Sequence, residues 1–565
     1  MLITLLTWIY QLFIILPFGF TLYTLGKGGT SRQEAGIPAL TLVFLLGLAL
    51  VTTLSALLSL VTNIGWQVHV GFLLLAILLW IYLLRQKKLP RVAFSLRPLT
   101  LPRKVLLLIG GLAAAAVLVL ATTIPENSDT AIYHAQAIRW IETYGAVPGL
   151  ANLHQRFGYN SNWLVVNALF SLSFLGLQSF HLLPSTLFLV LTIYFFDGLF
   201  SLEKDSRSFY NLARALFFIA AFLLLAQEIS SPGTDMPATL LIWFVLCEWL
   251  RLLKDPVEGA ERDGLWLSMV CVFCATIKLS SVPIALFLLW YLVWMIRNKR
   301  GKFLIPLLLA AVLIAGSYVG RNIIVSGHLF YPGFGFDPIH LEWSVPAEQV
   351  AREKQVIRAF ALLPRKSVDE VRQLNLQEQY RRWFANQLPR HKAMLAFIAL
   401  SSLATVSMLT FKRGRTWLRR YQQYWVIAAV LFTGLAFWLL SAPAFRFGYG
   451  FILGLIVILG APLLLAVAKP RPPVYLNALV GLAAVVVLLG ALMNFSHPKG
   501  LPSRLVMPAD YPSWKTETCQ FGNFSIDCQS QYDSCWYEPF PCAIQGDQKV
   551  FRRGSDFSDG FMYVP

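Results

Sequence analysis

The sequence predicts an all-α polytopic membrane protein, and three observations lead there. Of 565 residues, 57% are hydrophobic and only 13% are charged, against roughly 25% charged in soluble domains. Apolar runs of about 20 residues, the length that crosses a bilayer core, recur from one end of the chain to the other. The alternating segments of about ten residues that mark a membrane β-barrel do not occur.

The elements follow in order. The first run, 2–24, has no basic start and no small-residue cleavage site, so it reads as a retained helix and not a signal peptide. Further helices are expected at 37–61, 64–84, 104–123, 181–199, 210–227, 236–253, 264–278, 281–297, 303–321, 392–411, 424–440, 450–468 and 474–494. That makes about fourteen spans. Residues 129–145 form an amphipathic pattern, with Ile132, Ile138 and Ile141 opposite His134, Arg139 and Glu142, and read as an interfacial helix. More such helices are expected within 345–390. The chain divides into N-terminal transmembrane helices at 1–103, a main module at 104–495 with external loops 124–162 and 322–391, and a polar tail at 496–565 that reads as a small extracytoplasmic cap.

Net charge is +18. The basic residues gather in short loops: Arg85, Lys87, Lys88, Arg91, Arg97, Arg103 and Lys104; Arg297, Lys299, Arg300 and Lys302; Lys412, Arg413, Arg415, Arg419 and Arg420; Lys469 and Arg471. Such loops face the cytoplasm and its anionic lipid. Nucleic acid is not an expected partner, because no basic domain or aromatic binding module accompanies them. No P-loop or Gly-rich dinucleotide fingerprint occurs, so ATP-driven transport is not expected from this chain alone.

Counting crossings from these loops places the Asp129 loop, the turns at Asp235, Lys278 and Arg446, the 322–391 segment and the tail outside. One segment strains the count. Trp163 to Leu177 is apolar, but it is short for a crossing and diluted by Asn167, Ser171 and Ser173. Parity holds if it stays at the interface or re-enters, and a juxtamembrane helix is expected.

Of seven cysteines, Cys247, Cys271 and Cys274 fall in apolar runs and read as packing residues. Cys519, Cys528, Cys535 and Cys542 fall in the tail. They suggest two disulfides, with three possible pairings. Zinc is the alternative, disfavoured by the lack of CxxC spacing.

Five motifs could carry chemistry. Asp129, followed by Tyr133 and His134, stands just beyond an uncharged apolar run. A carboxylate there could take a proton from a hydroxyl, could hold a metal, or could cap the following helix, as Ser128 could. Asp235 follows a Ser-Ser-Pro-Gly-Thr turn, where the helix dipole favours an acid in any case. Lys278 lies between two apolar helices, and could snorkel to water or hold a phosphate as a point charge. Arg321 and Asn322 precede Gly327 and Tyr331-Pro332. Arg446 and Tyr449 follow Pro443. These arginines suit either bidentate phosphate contacts or anchoring in an interfacial aromatic belt. Two acids and three cations at one face suit a lipid phosphate leaving group and an acid that activates an acceptor.

In this order the motifs resemble the GT-C membrane glycosyltransferases, which use polyprenyl-phosphate sugars as donors and include protein O-mannosyltransferase-like and aminoarabinose transferase-like enzymes. The resemblance covers roughly 104–455. It implies a GT-C-like helical bundle with external interfacial helices at 129–145 and 163–177, and a bacterial plasma-membrane enzyme acting at the outer leaflet. Asp129 then matches the family's base. Asp235, with Tyr133 and His134, would position the donor or a divalent cation, Mg or Mn. Lys278, Arg321 and Arg446 would hold the lipid phosphate, supported by Asn322, Tyr331, Tyr449 and His154. The implied partners are a polyprenyl-phosphate-linked sugar and membrane lipids, and the implied transfer inverts the anomeric centre. The chain departs from the family in three respects. Three helices come first, Asp129 is not one of two adjacent acids, and Tyr133-His134 and Asn152 to Arg156 have no counterpart. The competing readings are a transporter or flippase of lipid-linked sugars, and a polysaccharide polymerase or ligase.

The crossing count is testable. With Lys204→Cys, a membrane-impermeant maleimide should label intact cells only after permeabilisation. Labelling from outside would contradict this topology.

Overall fold

The computed structural model describes residues 1–25, 36–89, 101–206, 208–254, 260–333, 339–419, 424–467, 472–495, 500–512, 515–529 and 534–565. Arg91, Arg97, Arg420, Lys469 and Arg471 of the basic loops, and residues 496–499 of the tail, lie outside the described residues.

Among the described residues the chain is predominantly helical. In order, the helices are α1 (Leu2–Leu25), α2 (Ile37–Leu58), α3 (Trp66–Arg85), α4 (Leu101–Leu120), α5 (Ala135–Tyr144), α6 (Leu150–Leu153), α7 (Asn162–Phe170) and α8 (Leu183–Lys204). Next come α9 (Phe209–Leu224), α10 (Asp235–Lys254), α11 (Ala260–Ile277), α12 (Leu286–Arg297), α13 (Leu304–Ser326), α14 (Ala347–Leu362), α15 (Val368–Arg372) and α16 (Leu376–Ala385). The last are α17 (Pro389–Met408), α18 (Lys412–Arg419), α19 (Trp425–Ser441), α20 (Phe445–Val467) and α21 (Pro472–Phe495). Ten helical segments are long and apolar enough to cross a membrane: α1 to α4, α8, α10, α12 with the turn before it, α13, α17 and α20. The chain is a multi-pass membrane protein. The other four expected spans are helices too (α9, α11, α19 and α21), but they fall short of that length or apolar content. In α11 the first turns carry Glu261, Arg262 and Asp263, of which Asp263 pairs with Arg251 at 2.9 Å and Glu261 with Arg300 at 3.0 Å.

The segment that strained the crossing count becomes α7, nine residues long and buried throughout. At 1.5 Å per residue it spans about 14 Å, under half of a bilayer core. It is an interior wedge, packed on α2, α5 and α11. Ser161 starts it by accepting from the Trp163 N–H at 3.1 Å, while its own hydroxyl donates to Ile277 O at 2.7 Å and closes the end of α11.

One continuous apolar core runs from Trp8 in α1 to Phe561 in the tail. The expected division at 103 does not separate two cores, since α2 packs on α7, α8, α11 and α13. The α1–α2 contact is closest at two glycines. A methyl group on Gly19 would collide with Val43 O, and one on Gly47 with Ile15 O. Small residues let membrane helices approach to backbone contact where lipid supplies no hydrophobic drive.

The tail forms two small sheets. Strand β1 (Glu517–Gln520) pairs antiparallel with β2 (Ser525–Cys528), which pairs parallel with β3 (Cys542–Ala543). Strand β4 (Val550–Arg552) pairs antiparallel with β5 (Phe561–Tyr563). The disulfides are Cys519–Cys528 and Cys535–Cys542, and Cys247, Cys271 and Cys274 are free and buried. The tail is woven into the bundle. Backbone bonds join Leu505 O to Leu2 N at 2.9 Å, Ala509 N to Thr122 O at 2.9 Å, Trp536 N to Ala131 O at 2.8 Å and Phe561 N to Pro148 O at 2.9 Å. It covers the face of α5 that the sequence pattern leaves polar. Gln136 donates to Pro539 O at 2.8 Å, and Glu142 accepts from Tyr537 at 2.6 Å. The expected interfacial helix is therefore buried on both faces.

The described basic-loop residues lie at the opposite end of the bundle from the Asp129 loop. Arg103 is in the first turns of α4 and Asp129 lies beyond its last, while α12 runs from the Lys278 turn to Arg297.

Gly47→Val should lower the melting temperature in detergent by several degrees, because overpacking costs about 1–3 kcal/mol. Gly71→Ala is the control, since a methyl there meets nothing within 4 Å, and its melting should not fall. Equal melting for Gly47→Val and the parent would contradict the close contact.

Candidate functional site

Four helix ends converge. Asp129 follows α4, Asp235 opens α10, Lys278 stands between α11 and the 3-10 turn Leu279–Ala285, and Arg446 lies in the first turn of α20. Arg446 Nη2 donates to Asp129 Oδ2 at 2.6 Å, and its Nε lies 3.5 Å from Asp235 Oδ2. Lys278 pairs with the other oxygen of Asp235. Acid and base thus alternate from Asp129 through Arg446 and Asp235 to Lys278. Phe447 supports both cations, with Lys278 Nζ 3.9 Å and Arg446 Cζ 4.9 Å from its ring centre.

Local sequence explains why each end points inward. The Asn127 side chain accepts from the Asp129 N–H at 2.9 Å and donates to Glu228 at 2.7 Å. Thr130 and Ser231 bond side chain to side chain at 2.7 Å. The loop after α4 is therefore laced to the turn before α10, which sets Asp129 beside Asp235. Gly233 allows that approach, since a methyl there would lie 3.3 Å from Asn127 Nδ2 and 3.4 Å from His134 Cε1. Lys278 has extended backbone where α11 stops. Ser281 holds that break by donating to Lys278 O at 2.6 Å and Cys274 O at 2.8 Å. At the start of α20, Phe445 is stacked on His391 at 3.9 Å, and Trp383 donates to Pro443 O at 2.9 Å.

Asp129 occupies the N-cap position of the π turn Thr130–His134 but makes no capping bond. Its carboxylate turns to Arg446 instead, so the capping role open to it in the sequence is not the one it takes.

The cluster is partly enclosed. Side-chain exposure falls from 32% at Arg446 to 9% at Asp235. Unpaired ions at such a depth are costly, and removing one partner strands the other. Burial alone would raise the Asp129 carboxyl. The charge and hydrogen bond of Arg446 outweigh it, and hold the group below its ordinary value. Burial pushes His134 down to about 4 and His154 down to about 3, so both are neutral at physiological pH.

Other expected site residues are placed differently. Arg321 makes no contact with the cluster. It is 3% exposed, and donates to Ser59 Oγ at 2.5 Å and Asn160 Oδ1 at 3.2 Å. Asn322 donates to Leu329 O at 3.1 Å and holds the loop after α13. Tyr331 packs against Tyr159 at 6.4 Å, which meets Tyr133 edge-on at 5.5 Å. Tyr449 bonds His391 at 3.1 Å and braces α20. His154 lies edge-on to Phe157 at 5.0 Å.

Sequence reasoning missed Phe447, Asn127, Glu228 and the Tyr159–Glu353 bond. Phe447 adjoins a motif arginine, and that adjacency was its available signal. A second polar network, at the other end of the bundle, gave none. There Glu248 accepts from Tyr194 at 2.6 Å, Tyr210 at 2.7 Å and Arg251 at 2.8 Å. Arg214 donates to Tyr194 O at 2.6 Å and Asp197 at 2.5 Å. Glu248 and Arg214 sit in apolar helices, and only the fold shows that both are fully partnered.

A divalent cation prefers several oxygen ligands around an open centre. Here the two carboxylates are bridged by a guanidinium, and no group of three or more His, Cys, Asp or Glu gathers among the described residues. These residues do not fit such a site.

The ion pair can be tested through coupling. Asp129→Asn and Arg446→Gln should each lower the melting temperature, and the double variant should lose less than the sum of the two, as for any directly interacting pair. Additive losses would show that the two side chains do not interact.

No curated protein and no solved structure matches the chain. Residues 1–453 match the family model described as Domain of unknown function (DUF8201), and the chain belongs to that family.

Proposed function

We propose that this protein is a membrane glycosyltransferase of GT-C-like design. It would move a sugar, with inversion, from a polyprenyl-phosphate donor to an envelope glycan, lipid or protein acceptor at the outer face of a bacterial plasma membrane. The observation that carries the reading is the junction of Asp129, Asp235, Lys278 and Arg446. Four helix ends, far apart in sequence, bring a proton acceptor beside two cations at the end of the bundle remote from the basic loops. Both elements of the transfer are then present, an anion to accept a proton and cations to favour a departing phosphate.

In the proposed reaction the acceptor hydroxyl oxygen bonds to the anomeric carbon and Asp129 takes its proton. The bond from that carbon to the phosphate oxygen breaks, and polyprenyl phosphate leaves with the electron pair. Held below its ordinary value, the Asp129 carboxyl is ionised at every physiological pH. Asp235 is shared by Lys278 and Arg446 and positions both. Their charge stabilises the leaving phosphate across the site without abandoning the acids. Arg321, enclosed between Ser59 and Asn160, has no part in this step, and no step needs a metal. Orientation supplies much of the rate in such a site.

A transporter of lipid-linked sugars would need polar groups along a path between the two faces. The network of Glu248 and Arg214 is instead closed on its own partners, as suits a scaffold.

Asp129→Asn should abolish transfer from a polyprenyl-phosphate sugar, by a factor of at least about 100, while the purified variant still folds. The assay is release of polyprenyl phosphate in reconstituted membranes over a panel of donor sugars. Activity equal to the parent would remove Asp129 as the base.

A further inference from the structure

Arg156 stands on the 3-10 turn Gln155–Gly158, which packs against the π turn of Tyr133 and His134. Its neighbour Tyr159 meets the Tyr133 ring edge-on at 5.5 Å. The charge of Arg156 is felt at Asp129, Tyr133, His134 and Tyr159. Arg156 is thus carried on a turn packed against the segment that follows Asp129.

Every other cation of the cluster is committed. Arg446 is shared between two carboxylates and Lys278 is paired with Asp235. Arg156 is half-buried, and among the described residues its guanidinium makes no hydrogen bond and no ion pair. Glu353, the nearby acid on α14, is occupied by Tyr159.

Arg156 is not the only unsatisfied group there. His134 is 3% exposed and its Nδ1 has no partner. Buried polar groups are nearly always bonded, so an orphaned nitrogen on the turn that packs against the turn of Arg156 points to a ligand that supplies acceptors. An anion with several oxygens does this. A guanidinium engages a phosphate by two parallel N–H bonds, which a protonated lysine cannot do.

We propose that Arg156 is the anion-binding residue of this site and takes two oxygens of a phosphate monoester, with Tyr133 and His134 reaching the same group. This inference deepens the glycosyl-transfer reading and rests on it for the choice of a lipid-borne phosphate. It assigns to Arg156 the contact from which Arg321 is held away by its bonds to Ser59 and Asn160.

The test measures binding, not turnover. Full-length protein in detergent is titrated with fluorescent polyprenyl monophosphate, with the matching unphosphorylated polyprenol, and with inorganic phosphate as competitor. Arg156→Gln should weaken polyprenyl phosphate binding by about tenfold or more, since hydrogen bonds between charged groups are among the strongest. Arg156→Lys should fall between, and polyprenol binding should be unchanged throughout. Competition by inorganic phosphate at matching concentration would support the anion site and assign it to the free ion. Unaltered polyprenyl phosphate affinity in Arg156→Gln would overturn the proposal. Should that variant not fold, phenylglyoxal modification of the parent, mapped by mass spectrometry, decides. Polyprenyl phosphate should protect Arg156, and no protection overturns the assignment. If Arg156→Gln loses the lipid phosphate while the parent transfers no sugar, the anion site stands and the transfer reading falls. If Asp129→Asn loses transfer while Arg156→Gln binds normally, the reverse holds.

Discussion

A charge at the end of a membrane helix persists only where water or an opposite charge meets it, and here one guanidinium meets two acids. Arg446 touches both Asp129 and Asp235, and with Lys278 it ties the ends of α4, α10, α11 and α20 to a single point. Each of those ends has its own local reason for turning inward. The Asn127 bonds, the Ser281 lock on Lys278 and the stacking of Phe445 all serve that junction. Without the pairing, each of these groups would be an ion stranded in a poorly solvated place.

The tail contributes to the same geometry from above. It binds Ala131, Gln136 and Glu142 on the segment that follows Asp129, and so fixes the direction in which that segment leaves the cluster. Two disulfides and five short strands make the tail stiff enough to do so. The first three helices serve the other side, since Ser59 at the end of α2 receives Arg321 and the backbone N–H of Ala146. The tail and α2 thus hold the loops on which the site is built.

Much of this was legible in the sequence because membrane helices announce themselves by length and apolarity. All fourteen expected spans are helices, though four fall short of the span criterion. Asp129, Asp235, Lys278 and Arg446 stood out for the same reason, as charges beside long apolar runs. Less was legible where tertiary contact decides. Periodicity gave α5 a polar face, but not the tail that buries it. Arg321 was expected from the resemblance to hold the lipid phosphate, yet the fold encloses it between Ser59 and Asn160. Arg156 lies in a turn with no apolar pattern to mark it, and only its lack of a partner distinguishes it. The two disulfides join neighbours in the chain, one of three pairings that the sequence left open.

The central claim is that the Asp129 cluster receives a lipid phosphate. A cryo-electron microscopy structure of the full chain with bound polyprenyl phosphate tests it most directly. The account predicts phosphate density within hydrogen-bond reach, about 3 Å, of the Arg156 guanidinium and on the side of the cluster that Asp129 faces, with the Arg446 pair intact. Phosphate seated at Arg321, or at the end of the bundle that carries the basic loops, would contradict it.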